Sequence, residues 1–301
     1  MSTAVGTAGP GPDGGGTGPS GGRAPGGGSE HDPVPAYGLL GRFLPSGTVS
    51  RPMSLVERNM RAYRRAWLLL LSGFVEPVMY LFGLGIGLGS LVGDVTTDTG
   101  RVVPYAVFVA PALMASSAMN GAVFDSTFNV FFKLKYSKLY DSVLATPLGP
   151  RDVAVGEITW ALVRGSLYAG AFFLVMLLAG LVRTPWALLA LPAALLIGWA
   201  FASVGMAMTT YMRSWQDLDV VQLAIVPLFL FSATFYPVST YPDSVAWLVQ
   251  VSPLYHGVAL VRGVMLAEIG PGLLVHVAVL AALGLVGVAV TERRLRTLLL
   301  R

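Results

Sequence analysis

The sequence of 301 residues contains no cysteine and few charged side chains. The absence of cysteine excludes disulfides, thiolate metal sites and a cysteine nucleophile. Charged residues make up only 12% of the chain, whereas they make up about a quarter of an average soluble protein. Hydrophobic residues make up 54%. This composition predicts an integral membrane protein.

Motifs for nucleotide binding and hydrolysis are also absent. No G-x-x-x-x-G-K-[ST] segment occurs, which excludes a phosphate loop. The G-x-S-x-G spacing occurs only at residues 18–22 of the glycine-rich tail, so no serine nucleophile elbow is present. His256 and His276 match no H-x-x-x-H or H-E-x-x-H spacing. The arginines flank apolar segments instead of forming a basic face with interleaved aromatics, so we expect no nucleic-acid partner. We therefore predict no catalytic residue, no metal and no cofactor bound by this chain.

The first 50 residues are dense in glycine and proline. Such a composition cannot bury enough apolar surface to fold, so we expect residues 1–50 to be a disordered cytoplasmic tail ahead of a membrane domain over 51–301. Within these N-terminal residues, no basic segment is followed by an apolar run of about 7 to 15 residues. We therefore expect no cleavable signal peptide.

A basic amphipathic helix is predicted over residues 54–66, SLVERNMRAYRRA. Val56, Met60 and Tyr63 recur at helical spacing, and arginines occupy the rest of the circumference. Ser54 and Glu57 form a capping-box pattern at its start. The arginines place this end of the domain in the cytoplasm.

The predicted fold is an all-α membrane bundle with six transmembrane helices, because six apolar segments are long enough to cross about 30 Å of hydrocarbon. They cover about 67–91, 104–124, 158–182, 186–211, 220–236 and 273–291. Of the 20 Lys and Arg residues, 16 lie in segments that this topology makes cytoplasmic. Both termini and the loop 125–156 are therefore predicted to be cytoplasmic in a multi-pass cell-membrane protein.

Between the fifth and sixth predicted spans, prolines interrupt an apolar stretch at Pro237, Pro242 and Pro253. Two short apolar runs remain, residues 245–251 and 257–266. They are too short to cross a bilayer, so we predict re-entrant helices at the outer leaflet.

Two charged residues fall inside predicted spans, Glu76 near the middle of the first and Arg164 in the third. Burying either charge in hydrocarbon is costly unless it is paired or faces water. One hypothesis is an interhelical pair that positions the first span or lines a polar path. The other is that Arg164 extends to the headgroups, Glu76 is protonated, and Pro77 kinks the helix. Both stay open.

The residues Gly83, Gly85, Gly87 and Gly89 contain two overlapping GxxxG spacings. No strand precedes them and the spacing is not GxGxxG, so a dinucleotide site is excluded. We predict close helix packing there, within one subunit or across a dimer.

Asp217 and Asp219 form a D-x-D pair before the fifth predicted span. Such a pair can hold a divalent metal in a transferase. Acidic residues at a helix N-terminus also complement its dipole. We favour the structural interpretation, because no further acidic cluster stands nearby.

The cytoplasmic loop contains a short predicted helix around residues 136–148. One broad side of this helix is formed by Tyr136, Leu139, Tyr140, Val143 and Leu144. A helix with such a face either docks into a partner's groove or lies on the bilayer.

Five segments of this sequence resemble ABC-2 type permeases, the membrane subunits of ATP-binding-cassette exporters. They are ERNMRAYRRAW, FVEPVMYLFGLGIGLG, YAVFVAPALMASSAMNGAVF, KLKYSKLYDSVLATPLGPRDVAVGEITWALVR and FSATFYPVSTYPDSVAWLVQVSPLYHGVALVR. The resemblance covers about residues 52–295 and is closest to the branch of nodulation lipo-oligosaccharide and daunorubicin-type drug permeases. The glycine-rich tail is outside the family pattern.

The resemblance implies a homodimeric permease that is not itself an enzyme and docks separate ATPase subunits, which bind ATP and magnesium. The loop 136–148 would then match the family's coupling helix, and residues 55–66 its connector helix. The implied activity is export of an amphipathic compound, such as a lipid-linked saccharide or a hydrophobic drug. The alternatives are a membrane-embedded transferase that uses Asp217 and Asp219, and a pore that needs no nucleotide.

Overall fold

A computed structural model of the chain describes residues 50–63, 75 and 78–299. Nearly all of the predicted tail and ten of the 25 residues of the first predicted span, including Glu76, lie outside these residues. The described helices are α1 (Ser50–Tyr63), α2 (Val78–Val92), α3 (Tyr105–Lys135), α4 (Leu139–Leu144), α5 (Pro150–Leu178), α6 (Pro185–Thr209), α7 (Asp217–Leu230), α8 (Asp243–Val251), α9 (Pro253–Met265) and α10 (Gly272–Leu299). An antiparallel hairpin, β1 (Asp94–Thr96) and β2 (Val102–Pro104), joins α2 to α3 with Val95 opposite Val103.

Among the described residues, four helices are long and apolar enough to cross a membrane: α3, α5, α6 and α10. They contain 31, 29, 25 and 28 residues, and a helix needs only about 20 residues to cross the hydrocarbon layer. The chain is therefore membrane-embedded, and the secondary structure of its described residues is helical apart from the hairpin. In the following description, the loop end of the bundle is the end that carries α4, and the hairpin end is the end that carries β1 and β2.

The short helices α8 and α9 are bent by 83° relative to each other. The bend falls at Ser252, just before Pro253, which opens α9. Proline has no amide hydrogen and its ring disfavours a helical conformation in the preceding residue, so one helix ends and the next begins there. The sequence predicted two short helices in this region, and the structure contains them with different bounds.

Several helix ends differ from the predicted spans, and two of these differences affect the site. Helix α3 continues to Lys135 instead of ending at residue 124, so Asp125 lies inside the bundle and not at the start of a loop. Helix α7 ends at Leu230, although the predicted span continues to 236. Its 14 residues extend over only about 21 Å. After it, Ala233 adopts a left-handed conformation with φ of 55°.

Helix α6 lies at the centre of the described bundle and contacts α3, α5, α9 and α10. Small residues allow these close approaches. Added to Gly205, a Cβ would collide with Ser126 of α3, and added to Gly284 of α10 it would collide with Trp199. At Gly287 it would lie 2.7 Å from the backbone carbon of Ser203. Small residues at interfaces are the usual means by which membrane helices pack tightly.

Gly287→Ala is expected to lower the free energy of unfolding by about 1–3 kcal/mol, because the added methyl meets backbone atoms that cannot rotate away. Gly170→Ala on α5 is the matched control, since apart from its own helix backbone no atom of the described residues lies within 4 Å of its Cβ position. There, alanine should be neutral or stabilise the helix by about 1 kcal/mol. Thermal unfolding of both variants in the same detergent measures the difference, and equal midpoints would contradict the prediction.

Candidate functional site

A cavity of about 800 Å³ lies between α3, α5 and α7. Its apolar wall includes Leu113 and Phe124 of α3 and Ile225 and Phe229 of α7. Tyr80 of α2 and Phe235, after α7, also contact it. The volume lies within the range of about 300–1,000 Å³ that is common for small-molecule sites. The cavity can therefore hold a medium-sized apolar or amphipathic molecule.

Polar side chains line part of the same cavity. They come from α3, α5 and α7 and are Ser116, Ser117, Asn120, Thr127, Arg164, Tyr168 and Gln222. The Oδ1 atom of Asn120 is buried and accepts no hydrogen bond from the described residues. A mostly apolar cavity with a few fixed polar groups can orient an amphipathic ligand.

Arg164 is held by Asp125 of α3. Its Nη1 lies 2.6 Å from Asp125 Oδ1, and its Nη2 donates to the Tyr168 hydroxyl at 2.8 Å. Asn129 Nδ2 donates to the same Asp125 oxygen at 3.1 Å. The side chains of Arg164 and Asp125 are 6% and 1% exposed, so the pair is desolvated and holds α3 against α5. The predicted partner Glu76 lies outside the described residues, and its proposed approach to Arg164 stays a prediction.

The residues predicted for the loop helix fall into two groups. Tyr136 is exposed and Leu139 is half-buried, whereas Tyr140 and Val143 are buried. Leu144 is the last residue of α4. The ring of Tyr140 is therefore directed into the protein, and of the two tyrosines only Tyr136 is available to a partner.

Tyr140 packs beside a buried polar cluster at the loop end of the bundle, which we call the Glu157 cluster. Glu157 Oε2 of α5 accepts hydrogen bonds from Lys133 Nζ of α3 at 2.7 Å and from Asn59 Nδ2 of α1 at 3.2 Å. Lys133 also donates to Asn59 Oδ1 at 3.2 Å, and Arg58 Nη2 lies 3.8 Å from Glu157 Oε1. The cluster thus connects α1, α3 and α5, with α4 packed against it.

The Tyr140 hydroxyl remains protonated in this environment. Burial and the negative charge of the neighbouring Glu157 raise the pKa of Tyr140 well above its usual value. A neutral phenol next to a carboxylate adds no charge to the cluster. The ring therefore serves as a packing contact between the loop helix and the ends of the long helices.

The four predicted packing glycines all lie in α2, in which residues Leu81–Leu88 form a π-helical segment. A Cβ added to Gly85 or Gly89 would lie 3.8 Å from Ala106 or Tyr105 of α3, an ordinary van der Waals distance. A Cβ added to Gly83 or Gly87 would meet no other element within 4 Å in the described part of the chain. Packing of α2 within the subunit thus involves two of the four glycines.

Asp217 acts as a cap in the turn before α7. Its Oδ2 accepts the backbone N–H groups of Arg213 at 2.7 Å and Ser214 at 3.1 Å. These hydrogen bonds lower the pKa of the Asp217 carboxyl, since they stabilise its charged form. Asp219 is exposed. Within the described residues, no group of three or more His, Asp or Glu side chains could hold a metal ion.

Sequence reasoning missed the contact between His256 of α9 and His276 of α10, whose Nδ1 atoms lie 2.8 Å apart. Tyr255 packs edge-on against both rings. No spacing motif brings residues 20 positions apart in two different helices together, so no sequence signal could have found the pair. The contact ties the bent α8–α9 pair to the last helix.

A second buried arginine, Arg262 of α9, fixes the hairpin end. Its Nε donates to the Phe108 carbonyl at 3.2 Å, and its Nη2 donates to the Ala233 carbonyl at 2.8 Å. Its guanidinium lies 3.8 Å from the centre of the Phe108 ring. One side chain thereby joins α3, α9 and the turn after α7.

Comparison with known proteins gives one family and several relatives. Residues 53–266 match the model of the ABC-2 type transporter. Nodulation protein J of Sinorhizobium fredii (strain NBRC 101917 / NGR234) is 34% identical over 79% of this chain and 92% of its own length. Nodulation protein J of Rhizobium leguminosarum bv. viciae is 32% identical over 86% of this chain and 98% of its own. The similarity therefore includes the cavity and the Glu157 cluster.

Proposed function

The chain belongs to the ABC-2 type transporter family, and on this premise we propose that it is the permease subunit of an exporter that moves an amphipathic or lipid-like compound. The observation that carries the proposal is the cavity between α3, α5 and α7, which combines an aromatic and aliphatic wall with a limited set of polar groups. Such a lining suits a molecule with an apolar body and a polar head.

We further propose that a separate ATPase subunit supplies the energy and binds ATP and magnesium. The sequence contains no phosphate loop, so hydrolysis requires another chain. The exposed Tyr136 and the adjoining α4 are the proposed contact with that subunit. Because the Glu157 cluster connects this region to α1, α3 and α5, movement of α4 would be transmitted to helices that line the cavity.

The proposed arrangement in the cell membrane has six spans, with both termini and the α4 loop in the cytoplasm. It is supported by the four long helices and by the distribution of lysines and arginines. The open sides of Gly83 and Gly87 suit a second copy of the chain, so we propose a homodimer. Reporter fusions in the 125–156 loop and at both termini should give the same cytoplasmic signal.

The decisive test is purification of the tagged chain from its own cells, followed by assays in proteoliposomes. We expect an ATPase subunit with a G-x-x-x-x-G-K-[ST] motif to co-purify and amphiphiles to stimulate its ATP hydrolysis. Transport should require ATP. Solute flux without nucleotide would instead identify a pore, and the absence of any ATPase subunit would contradict the proposal.

A transferase that uses Asp217 and Asp219 is the candidate from another class, and a double substitution separates it from an exporter. Asp217→Asn with Asp219→Asn is expected to leave ATP-dependent transport unchanged, because asparagine keeps an oxygen that can cap the turn before α7. A metal-dependent transferase would lose its activity in the same variant. Transport measured beside thermal unfolding gives the answer, and loss of transport in a stably folded variant would favour the transferase.

A further inference from the structure

We propose that His256 of α9 and His276 of α10 form a binding site for a divalent transition-metal ion that prefers imidazole ligands, of which Zn²⁺ is the representative. The ion would replace the hydrogen that the two rings now share and would tie α9 to α10. The sequence prediction of no metal considered spacings within one helix, whereas these histidines lie on two. The inference does not depend on the proposed export function.

The direction of the two Nδ1 atoms is the first observation that supports the site. These atoms lie 2.8 Å apart, and the ring centres lie 5.0 Å apart with the planes inclined at 53°. This separation of the centres is close to the largest that such a nitrogen contact allows, so each Nδ1 points out of its own ring towards the other. At least one ring is neutral, because one nitrogen accepts the hydrogen that the other donates. When that hydrogen leaves, two imidazole lone pairs face each other.

A zinc ion fits between these nitrogens after a small adjustment. Zinc prefers tetrahedral geometry with Zn–N distances of about 2.0–2.1 Å, which places two ligating nitrogens about 3.3 Å apart. The present separation of 2.8 Å would therefore increase by about 0.5 Å, and the rings would turn until their lone pairs meet at the ion. Imidazole suits zinc, copper and nickel, whereas calcium and magnesium prefer oxygen ligands. The pair thus selects the first group of ions.

The contacts around the rings are the second observation. Tyr255 packs edge-on against both, with its ring centre 5.5 Å from that of His256 and 5.8 Å from that of His276. The backbone carbonyl of Gln250, in α8, accepts a hydrogen bond from the His256 ring. Histidines that bind a metal are usually oriented by such a bond to a carbonyl or carboxylate. The two nitrogens are therefore held face to face before any ion binds.

The third observation is the position of the pair near the hairpin end. Both histidines are partly exposed. His276 lies four residues after Gly272, the first residue of α10, which corresponds to about 6 Å along the helix. The segment before α10 is joined to the hairpin, since Thr99 donates a hydrogen bond to Glu268 at 2.8 Å. Water can therefore reach the pair and supply the two remaining ligands of a tetrahedral ion.

Zinc titration of the full chain tests the proposal. The chain carries an affinity tag without histidine, is reconstituted in nanodiscs of uncharged lipid, and is freed of metal with a chelator. Calorimetry should detect one Zn²⁺ per chain with a Kd of about 1–100 µM, because two imidazoles supply half of the ligands of a structural zinc site. Excess Mg²⁺ should not compete. The absence of saturable binding up to about 1 mM zinc would overturn the proposal.

His256→Gln and His276→Gln each remove one ligand and should weaken zinc binding at least about tenfold. His31→Gln is the matched control and should bind zinc like the wild type. His31 is the third of the three histidines and stands between Glu30 and Asp32 in the N-terminal tail, so it is the competing source of a zinc signal. Unchanged affinity in either of the first two variants, or loss of binding in His31→Gln, would overturn the proposal.

Two measurements on His31→Gln remain decisive even if the other variants misfold. X-ray absorption at the zinc edge should detect two imidazole ligands at about 2.0–2.1 Å, and a spectrum with fewer than two would overturn the site. Zinc at about 100 times its Kd should raise the midpoint of thermal unfolding by about 5 °C, because the ion binds only where the fold brings both rings together. An unchanged midpoint would contradict a metal bridge between α9 and α10.

Discussion

Glu157→Gln is expected to lower the free energy of unfolding by about 3 kcal/mol, near the lower end of the cost of breaking a buried ion pair. Glu157 is 1% exposed in its side chain and lies 2.7 Å from Lys133, which is 13% exposed. Glutamine keeps the size of the side chain and one acceptor oxygen but removes the negative charge. The buried Lys133 ammonium then loses the carboxylate with which it is paired. The contacts between α1, α3 and α5 weaken as a result.

The functional part of this prediction concerns coupling. Under the proposed function, α4 moves with the ATPase subunit, and the Glu157 cluster passes that movement to α3 and α5. Glu157→Gln should therefore stop cargo transport while the partner subunit continues to hydrolyse ATP. Measuring both rates in the same proteoliposomes tests this, and a proportional loss of both rates would indicate failed assembly instead of lost coupling.

Glu292→Gln is the matched control for the stability effect. Glu292 pairs with Arg296 one turn further along α10 at 2.8 Å, and their side chains are 26% and 63% exposed. An exposed helical pair of this kind contributes only about 0.3–0.5 kcal/mol. Thermal unfolding in detergent should therefore separate the two variants clearly. Equal unfolding midpoints would show that the burial of Glu157 has no energetic consequence.

Arg262→Met is the second substitution with a large expected effect. It leaves the carbonyl oxygen of Ala233 without the arginine donor, removes the second donor of the Phe108 carbonyl, and removes a cation from the face of the Phe108 ring. Each buried, unpaired polar group costs about 1–3 kcal/mol, so the free energy of unfolding should fall by about 2–5 kcal/mol. The turn after α7, in which Ala233 has a positive φ, should become the most exchange-prone part of the hairpin end.

Arg262→Lys distinguishes geometry from charge. A lysine ammonium keeps the charge but cannot span two carbonyl groups and lie over a ring at the same time. We expect it to recover less than half of the lost stability. Arg183→Met, at an exposed arginine between α5 and α6, is the control and should be neutral. Hydrogen exchange over residues 231–241 provides the local measurement, and wild-type protection in Arg262→Met would contradict the prediction.

The sequence predicted the long helices because backbone groups in a bilayer must be hydrogen-bonded within their own segment. Every apolar stretch of sufficient length therefore forms a helix whatever surrounds it. Both ends of α6 lie within two residues of its predicted span, and α3 begins one residue after its predicted start. Helices α5 and α10 overlap their predicted spans, but α5 begins eight residues earlier and α10 ends eight residues later. The prolines likewise predicted the break between α8 and α9. Proline restricts its own backbone and that of the preceding residue, whatever the rest of the fold is.

The interior of the bundle could not be predicted in the same way. The predicted second span ends just before Asp125, because a carboxylate usually marks the end of an apolar segment. The structure continues the helix because Arg164, 39 residues away, pairs with that carboxylate. Helical periodicity gives the faces of one helix but does not specify which face of another helix it meets. Tyr140 was predicted on an outward-facing surface for the same reason, although its neighbours place it inward.

The sequence by itself determined that this chain is a membrane protein of long apolar helices, the approximate position of the four long ones, and which family it resembles. These properties depend on the composition and order of residues within each segment. Only the tertiary structure decided that Arg164 has Asp125 as a partner, that His256 meets His276, and that Glu157 joins three helices. Such pairs depend on how separate helices rotate and pack against one another, and packing is a property of the whole bundle.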